Sequence, residues 1–442
     1  MMQALLSFDQ APAFSAPMRY FLTAPLFAIL AGVLMLYSGP NLFASRWTPA
    51  ALALTHLITV GFMLQVMLGA AQQLFPVVVG ANFPRPLLIA TLVHATITPG
   101  ALFLAAAFLT YEPLLFAGAV ACLAAGLTLF VIAAATALHG IASTNPTGLG
   151  FKLSLFGLSV TVLSGLLLAA SLGLQLDLPL LQLTNLHLGW GFMAWACILI
   201  AAVAYVAVPM FQLTPEYPVW FSRSFAVSAL AAVLMWTLAD LAGLTVPAAL
   251  LTAAVIASAA LFTLATLRIL GQSKRAKRDA SHQLWTVSML SALVACALWL
   301  ATRLIDPLGQ WQGWPLLFGV LLLVGCFMSV MVGMLYKIIP FLVWLHLQNI
   351  GRGHVKAPNM KKVLSQVRID RQMLAHLLAL ALLLLAVFWP GWFVYPAGLA
   401  LIFASVWLWL NLLSATAVYR NQLVKIGIAI ASADKKQRES AC

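Results

Sequence analysis

The chain has 442 residues, of which 63% are hydrophobic and only 7% are charged. Soluble globular domains carry about 25% charged residues, so this composition excludes a soluble protein and indicates a polytopic membrane protein with the lipid bilayer as its partner. The net charge of +13 does not indicate nucleic acid, because the basic residues lie mainly in alternate loops between apolar segments.

Twelve apolar segments are long enough to cross a bilayer, which takes about 20 residues at the helical rise of about 1.5 Å. We expect them at 20–39, 50–79, 87–110, 113–139, 150–173, 183–211, 222–243, 247–270, 283–303, 313–346, 372–389 and 391–418. No length is left for a soluble domain. The sequence therefore predicts an all-α fold with a single transmembrane domain over 1–442, ending in a cytoplasmic tail at 419–442.

The placement of the basic residues predicts the orientation. Residues that fall on one side, if the N-terminus is inside, are Arg19, Arg85, Lys152, Arg223, the run 268–278, the loop 347–371 and the C-terminal tail. Only Arg46 and Arg303 fall on the other side. Because Lys and Arg concentrate in cytoplasmic loops, we expect a multi-pass protein of the bacterial cytoplasmic (inner) membrane with both termini in the cytoplasm.

A pattern of small residue and proline recurs every fourth segment. A Gly or Ala lies seven residues before a Pro in the pairs Gly69 and Pro76, Ala202 and Pro209, and Gly333 and Pro340. Small residues let helix backbones approach closely. The pattern predicts three pseudo-repeats of four helices, at about 18–140, 150–271 and 282–418; the alternative is that Gly and Pro are simply common in membrane helices.

Three intramembrane histidines are candidate ligands, since ionisable groups inside a membrane mark functional sites by default. His56 and His187 precede the repeat prolines by 20 and 22 residues, so their depths differ by about 3 Å and we expect them to face a common interior. His94 enters from the other side, roughly 20 Å away along the membrane normal, and cannot share a metal with His56.

The other ionisable groups are expected to be less informative. The histidines expected at or near the cytoplasmic boundary, facing headgroups or water, are His139, His282, His346, His354 and His376. All ten acidic residues lie in loops or at helix ends, which argues against a carboxylate di-metal site. Lys337 is the one cation inside a span, and it is either functional or snorkels to the surface.

Two segments resemble subunit I of the haem-copper oxidase superfamily. His56 with the exit FPVVVGANFPRP resembles the second helix of that family, where a histidine binds the low-spin haem. The segment NLHLGWGFMAWACILIAAVAYVAVPM resembles helix 6 of the cbb-type branch and places His187 at a copper-ligand position. The resemblance implies an oxidase subunit I-like fold of twelve helices in three pseudo-repeats, with haem b and copper as candidate cofactors.

The departures from that family are equally informative. The segment 222–243 has no histidine for copper, the segment 313–346 lacks the His-x-His pair, and the tyrosine cofactor and the acids of the proton channels are missing. A proton-pumping oxygen reductase is therefore not expected, and the balance is against an enzyme. The chain is similar to short haem-copper-like membrane proteins such as the NnrS group, which is associated with nitric oxide stress.

The sequence thus favours a haem- or copper-binding membrane protein in respiratory or nitrogen-oxide metabolism, acting in gas binding, stress response or assembly. His56 and His187 would bind the metal, with His94 as a further cofactor-binding candidate, and the partner would be a diatomic gas or a respiratory subunit. One alternative is a secondary transporter with a substrate path lined by Gln65, Gln72 and Gln73. The other is a scaffold without cofactors.

Overall fold

The structure is a computed structural model that describes residues 10–351 and 357–440. It is 86% helical, and the described residues form no strand. Twelve helices are long and apolar enough to cross a membrane. The prediction of an all-α polytopic membrane protein is therefore confirmed.

The twelve candidate membrane helices follow one another with short connections. In chain order they are α1 (Ser15–Phe43), α2 (Pro49–Val79), α3 (Pro86–Thr110), α4 (Pro113–Leu138), α5 (Pro146–Leu174), α6 (Leu180–Gln212), α7 (Val219–Leu241), α8 (Thr245–Gly271), α9 (Ala280–Leu304), α10 (Trp314–Gly351), α11 (Gln366–Phe388) and α12 (Pro390–Ile428). Proline occupies the first turn of α2, α3, α4 and α5, where its missing N–H leaves no intrahelical hydrogen bond unmade.

Successive helices alternate in direction, so the loops divide between two faces. The terminal face carries the loops 80–85, 139–145, 213–218 and 272–279, together with the beginning of α1 and the end of α12. The opposite face carries the loops 44–48, 111–112, 175–179, 242–244 and 305–313. Helix α1 packs against α2 and α12, so the first and last helices are neighbours in the bundle.

The second helix of each predicted repeat contains a π-helical segment of eight residues. These segments are Leu57–Leu64 in α2, Trp190–Cys197 in α6 and Leu321–Met328 in α10. Each ends twelve residues before the repeat proline: 64 and 76, 197 and 209, 328 and 340. The three-repeat organisation is a prediction, and this recurrence is the structural observation that supports it.

The first helix of each predicted repeat packs closely on the π-helical segment of the second. In the middle repeat, the Cβ position of Gly157 on α5 lies 2.4 Å from the carbonyl oxygen of Ala194 on α6. In the other two repeats, Gly61 lies against Phe27 and Gly325 against Ser291. Small residues at these positions therefore bring the paired helices together.

Two helix boundaries differ from the sequence prediction by more than five residues. Helix α11 begins at Gln366, six residues before the expected start at 372, because its first turns carry charged residues that lower the hydropathy. The last helix runs without a break over Pro390–Ser440, so the described part of the predicted tail continues α12. His354 lies outside the described residues.

Candidate metal-binding histidines

His56 and His187 occupy matching positions in two helices that enter from the opposite face. Each is the seventh residue after the start of its helix, Pro49 in α2 and Leu180 in α6. A π-helical segment begins directly after His56, and another begins three residues after His187. Such segments are frequent at functional sites.

The His56 imidazole has a defined tautomer. Its Nδ1 lies 2.8 Å from the carbonyl oxygen of Leu52, and a carbonyl only accepts hydrogen bonds, so the proton is on Nδ1. No described residue gives Nε2 a hydrogen-bond partner, and the half-buried ring lies 4.9 Å from the Phe108 ring of α3, centroid to centroid. The Nε2 lone pair is therefore available to a ligand.

His187 has the same arrangement on α6. Its Nδ1 lies 3.0 Å from the carbonyl oxygen of Thr161 and 3.2 Å from the hydroxyl of Ser164, both on α5. The Ser164 hydroxyl donates to the carbonyls of Val160 and Thr161, so the proton between His187 and α5 belongs to Nδ1. Within the described part of the chain, Nε2 of His187 also has no hydrogen-bond partner.

The shared geometry is that of metal-binding histidines, which usually donate the second ring N–H to a carbonyl or carboxylate. Both imidazoles lie near the opposite face, in the second turns of α2 and α6, and neither Nε2 has a hydrogen-bond partner in the described structure. This arrangement provides two nitrogen donors.

His94 lies in a different part of the molecule. Its Nε2 is 2.8 Å from the Thr23 hydroxyl, which itself donates to the carbonyl of Arg19, so His94 donates to Thr23. The ring stands edge-on to Tyr20. His94 precedes Phe108, the neighbour of His56, by fourteen residues on the same helix, or about 21 Å. His94 is therefore engaged in helix packing away from the pair.

The residues present fit a single metal ion better than haem. The cavity between the terminal-face ends of α2, α6 and α10 measures about 30 Å³, and neither His56 nor His187 lines it. Phe108 covers the ring of His56. Among the described residues no three His, Cys, Asp or Glu side chains form a metal-binding group.

Lys337 is part of an ion cluster at the terminal face. Its ammonium group lies 2.5 Å from the carboxylate of Asp279, which is also 3.3 Å from the guanidinium of Arg275. Burial raises the pKa of the Asp279 carboxyl, but Lys337, the backbone N–H of His282 and Arg275 outweigh burial and hold this pKa below 3.8. The Lys337 charge is therefore neutralised within the protein.

The three glutamines of α2 do not line a common path. Gln65 donates to the hydroxyl of Thr98 at 3.0 Å, and Gln72 donates to the hydroxyl of Tyr20 at 3.0 Å. Gln73 instead lines the cavity between the terminal-face ends of α2, α6 and α10, and neither its amide oxygen nor its amide nitrogen has a partner in the described structure. The expected substrate path along all three is therefore reduced to Gln73.

His376 does not lie at the membrane boundary, and that expectation was wrong. It is the tenth residue after Gln366 in α11 and is 1% exposed. Its Nε2 donates to the hydroxyl of Ser329 at 2.9 Å, because that hydroxyl already donates to the carbonyl of Val324. The charged turns at 366–371 conceal the true start of α11, and extending the helix through them would have revealed the burial.

His282 is also buried, at 2% exposure, although it follows the terminal-face loop. Its Nε2 donates to the carbonyl of Leu270 at 3.1 Å. The expectation that it faces headgroups or water was therefore wrong as well. The ring ties α9 to the end of α8.

Neither a search with protein-family models nor a search of curated proteins found a match to this chain.

Proposed function

We propose that the protein is a copper-binding membrane protein in which His56 and His187 hold the ion through their Nε2 atoms. The proposal rests on one observation: both imidazoles donate Nδ1–H to a backbone carbonyl and leave Nε2 without a partner in the described structure. Imidazole nitrogen is a common ligand of copper. The carbonyls of Leu52 and Thr161 hold a proton on Nδ1 of each ring, so that the lone pair is on Nε2, the atom proposed to bind the ion.

The role of the bound ion is to bind a small diatomic gas in respiratory or nitrogen-oxide metabolism. Copper held by two imidazoles keeps coordination positions open for such a ligand. The protein residues orient the two donors and surround them with apolar side chains, Phe108 among them. The bacterial cytoplasmic membrane, with the terminal face in the cytoplasm, is the proposed location.

Haem b is the second cofactor that the resemblance to oxidase subunit I implies. It would require the side chains around His56 to move, beginning with Phe108, whose ring lies 4.9 Å from the imidazole. Haem therefore ranks behind copper. Proton-pumping oxygen reduction is not part of the proposal, because the further copper, haem and proton-channel residues are missing from the sequence.

The test is metal analysis with a visible spectrum of the full-length protein purified in detergent. We expect copper at one ion per chain in the unmodified protein and a loss of about tenfold or more in His56→Ala and His187→Ala, because a two-donor site loses half of its ligands. His94→Ala is the matched control and should retain the copper. A Soret band that disappears in His56→Ala would assign haem instead.

A preparation without copper and without a Soret band would contradict the proposal. The remaining functions would then be a transporter or a scaffold without cofactors. Uptake of small solutes into vesicles would separate those two.

A further inference from the structure

A small internal cavity lies near the terminal-face ends of α2, α6 and α10, the second helices of the three predicted repeats. We call it the Gln73 cavity; it has a volume of about 30 Å³, and its walls include Gln73, Thr147, Phe211, Met334 and Phe341. Of the described residues that line it, Gln73 and Thr147 are polar and none is charged. The cavity is thus apolar except for one amide and one hydroxyl.

Gln73 is unlike the other two glutamines of α2. It is 2% exposed, and both its amide oxygen and its amide nitrogen lack a partner in the described structure. Gln65 and Gln72 each donate to a protein hydroxyl. Buried polar groups in proteins are almost always hydrogen-bonded, to ordered water or a ligand where the protein provides no partner. The donor and the acceptor of Gln73 therefore point to an occupant of the cavity.

The size and the walls define the chemistry of that occupant. About 10–15 Å³ of such space holds one water molecule, so the cavity accommodates a molecule of about two non-hydrogen atoms. An ion is disfavoured, because no opposite charge compensates for its dehydration. The occupant is therefore uncharged, and it both donates and accepts hydrogen bonds.

Two aromatic rings and a set of polar contacts, which we call the Arg275 latch, lie at the terminal-face end of the cavity. The rings of Phe211 on α6 and Phe341 on α10 meet edge to face at 6.3 Å. Arg275 donates to the Phe211 carbonyl from two nitrogens, at 3.1 and 2.6 Å, and pairs with Asp279, which pairs with Lys337 on α10. The loop 272–279 therefore ties together the two helices that carry the closing rings.

Two further hydrogen bonds hold the same loop on the end of α6. Ser273 donates its hydroxyl to the carbonyl of Gln212 at 2.6 Å, and the backbone N–H of Lys274 donates to the carbonyl of Leu213 at 3.0 Å. Loss of Arg275 alone would loosen the latch without removing the loop.

We propose that the Gln73 cavity binds one small uncharged molecule of the size of hydrogen peroxide, which enters from the terminal face past Phe211 and Phe341. Gln73 holds the molecule by donating one hydrogen bond and accepting another. The Arg275 latch limits the rate of entry. This site is separate from the histidine pair and does not depend on the proposed copper.

Hydrogen peroxide is a suitable probe, because the protein carries its own reporter. Met334 lines the cavity, and its sulfur accepts a hydrogen bond from Trp285 Nε1 at 3.2 Å. Met331, one helical turn earlier, does not line the cavity; the two residues are 7% and 5% exposed. Peroxide transfers one oxygen atom to a methionine sulfur and leaves as water, so the sulfur is oxidised and the peroxide is reduced. Mass spectrometry of the full-length protein gives both oxidation rates.

We expect Met334 to be oxidised several times faster than Met331 in the unmodified protein. Gln73→Leu should slow the oxidation of Met334 about tenfold, the effect of losing roughly one net hydrogen bond, and Gln65→Leu, outside the cavity, should not. Arg275→Met should accelerate it, while Lys277→Met, an exposed basic residue of the same loop, should leave it unchanged.

Equal rates for Met334 and Met331 in the unmodified protein would overturn the proposal, and this comparison needs no variant to fold. An unchanged Met334 rate in folded Gln73→Leu would overturn the role of the amide. An unchanged rate in Arg275→Met would overturn the latch. Copper content in these variants reports separately on the histidine pair.

Discussion

Two backbone carbonyls, those of Leu52 and Thr161, decide the chemistry available to His56 and His187. Each carbonyl accepts the Nδ1 proton and so fixes the neutral tautomer with its lone pair on Nε2. His346 differs, because both of its ring nitrogens lie within hydrogen-bond distance of carbonyls, those of Leu342 and Pro12. The unpartnered Nε2 atoms of His56 and His187 are the basis of the proposal that the pair binds a metal.

At the residue scale, Asp279 is the residue of the terminal face whose loss should lower stability most. Asp279→Asn leaves the ammonium group of Lys337 and the guanidinium of Arg275 without their shared carboxylate. We expect a loss of about 1–3 kcal/mol, the cost of leaving a charged partner unsatisfied, seen as a lower unfolding midpoint in detergent. Glu112→Gln, at an exposed position on the opposite face, should have no effect.

The double variant Asp279→Asn with Lys337→Met should recover part of that loss of stability, because it removes the unpaired charge as well.

The pH dependence of stability provides a second check on Asp279. A carboxyl whose pKa is lowered in the folded state stabilises it above its unfolded pKa and loses this effect only as the pH falls through the folded value. The Asp279 contribution should thus be constant around neutral pH and be lost only as the pH falls below the ordinary pKa of a carboxyl. A decline near neutral pH would contradict this.

The sequence could identify the candidate histidines but not their hydrogen bonds. His56, His187 and His94 all appear as intramembrane imidazoles, and only the fold shows that Nε2 of His94 is taken by Thr23. Gln72 and Gln73 are adjacent in sequence, yet about 100° apart around the helix, so one meets Tyr20 and the other meets the cavity. The partner that each side chain meets depends on how the helices are oriented about their axes relative to one another.

At the scale of elements, the contact between α5 and α6 depends on Gly157. A Cβ there would lie 2.4 Å from the carbonyl oxygen of Ala194, and backbone cannot yield as a side chain can. We expect Gly157→Ala to lower stability by about 1–3 kcal/mol, measured by thermal unfolding. Gly319→Ala is the control, because no atom lies within 4 Å of its Cβ position, and it should be neutral or stabilising.

The first two predicted repeats differ in the size of the residue directly before the π-helical segment. His56 precedes the first π-helical segment and packs on Phe108, whereas Gly189 precedes the second and packs on Trp236. Replacing the His56 and Phe108 pair by a Gly and Trp pair should therefore preserve the packing between the helices. His56→Gly should cost about 1–3 kcal/mol through the space it leaves, and adding Phe108→Trp should restore a large part of the stability.

The unfolding midpoints of His56→Gly and of the double variant with Phe108→Trp test whether the two positions are equivalent. A double variant less stable than His56→Gly would contradict the equivalence of the two positions.

The sequence showed the spacing of small residue and proline that suggests the repeats, but it gave no sign of the π-helical segments. A single extra residue in a helical turn leaves the hydrophobic pattern almost unchanged, so the segments appear only in the backbone.

At the scale of the whole molecule, the twelve helices followed directly from hydropathy, because each apolar run must cross the bilayer as a helix. The two arginines on the opposite face lie over tryptophan rings, Arg46 over Trp47 at 4.5 Å and Arg303 over Trp299 at 5.4 Å. The other basic residues concentrate toward the terminal face. This distribution still predicts that the terminal face is cytoplasmic.

Fusions of alkaline phosphatase, which is active only outside the cytoplasm, test the orientation. A fusion after Glu112, in the opposite-face loop, should be active, and one after Thr144, in a terminal-face loop, should be inactive. The reverse pattern would place both termini outside and contradict the proposed orientation.

The central claim is that a metal is held by the imidazoles of His56 and His187 near the opposite face, and not by the sulfur atoms of buried Cys and Met side chains. X-ray absorption of the copper-loaded protein measures the ligands directly. We expect a first shell of nitrogen with the scattering of two imidazole rings in the unmodified protein, and loss of the bound copper in His187→Ala, because one of two donors is removed. A first shell of sulfur, or a protein that takes up no copper, would contradict the account.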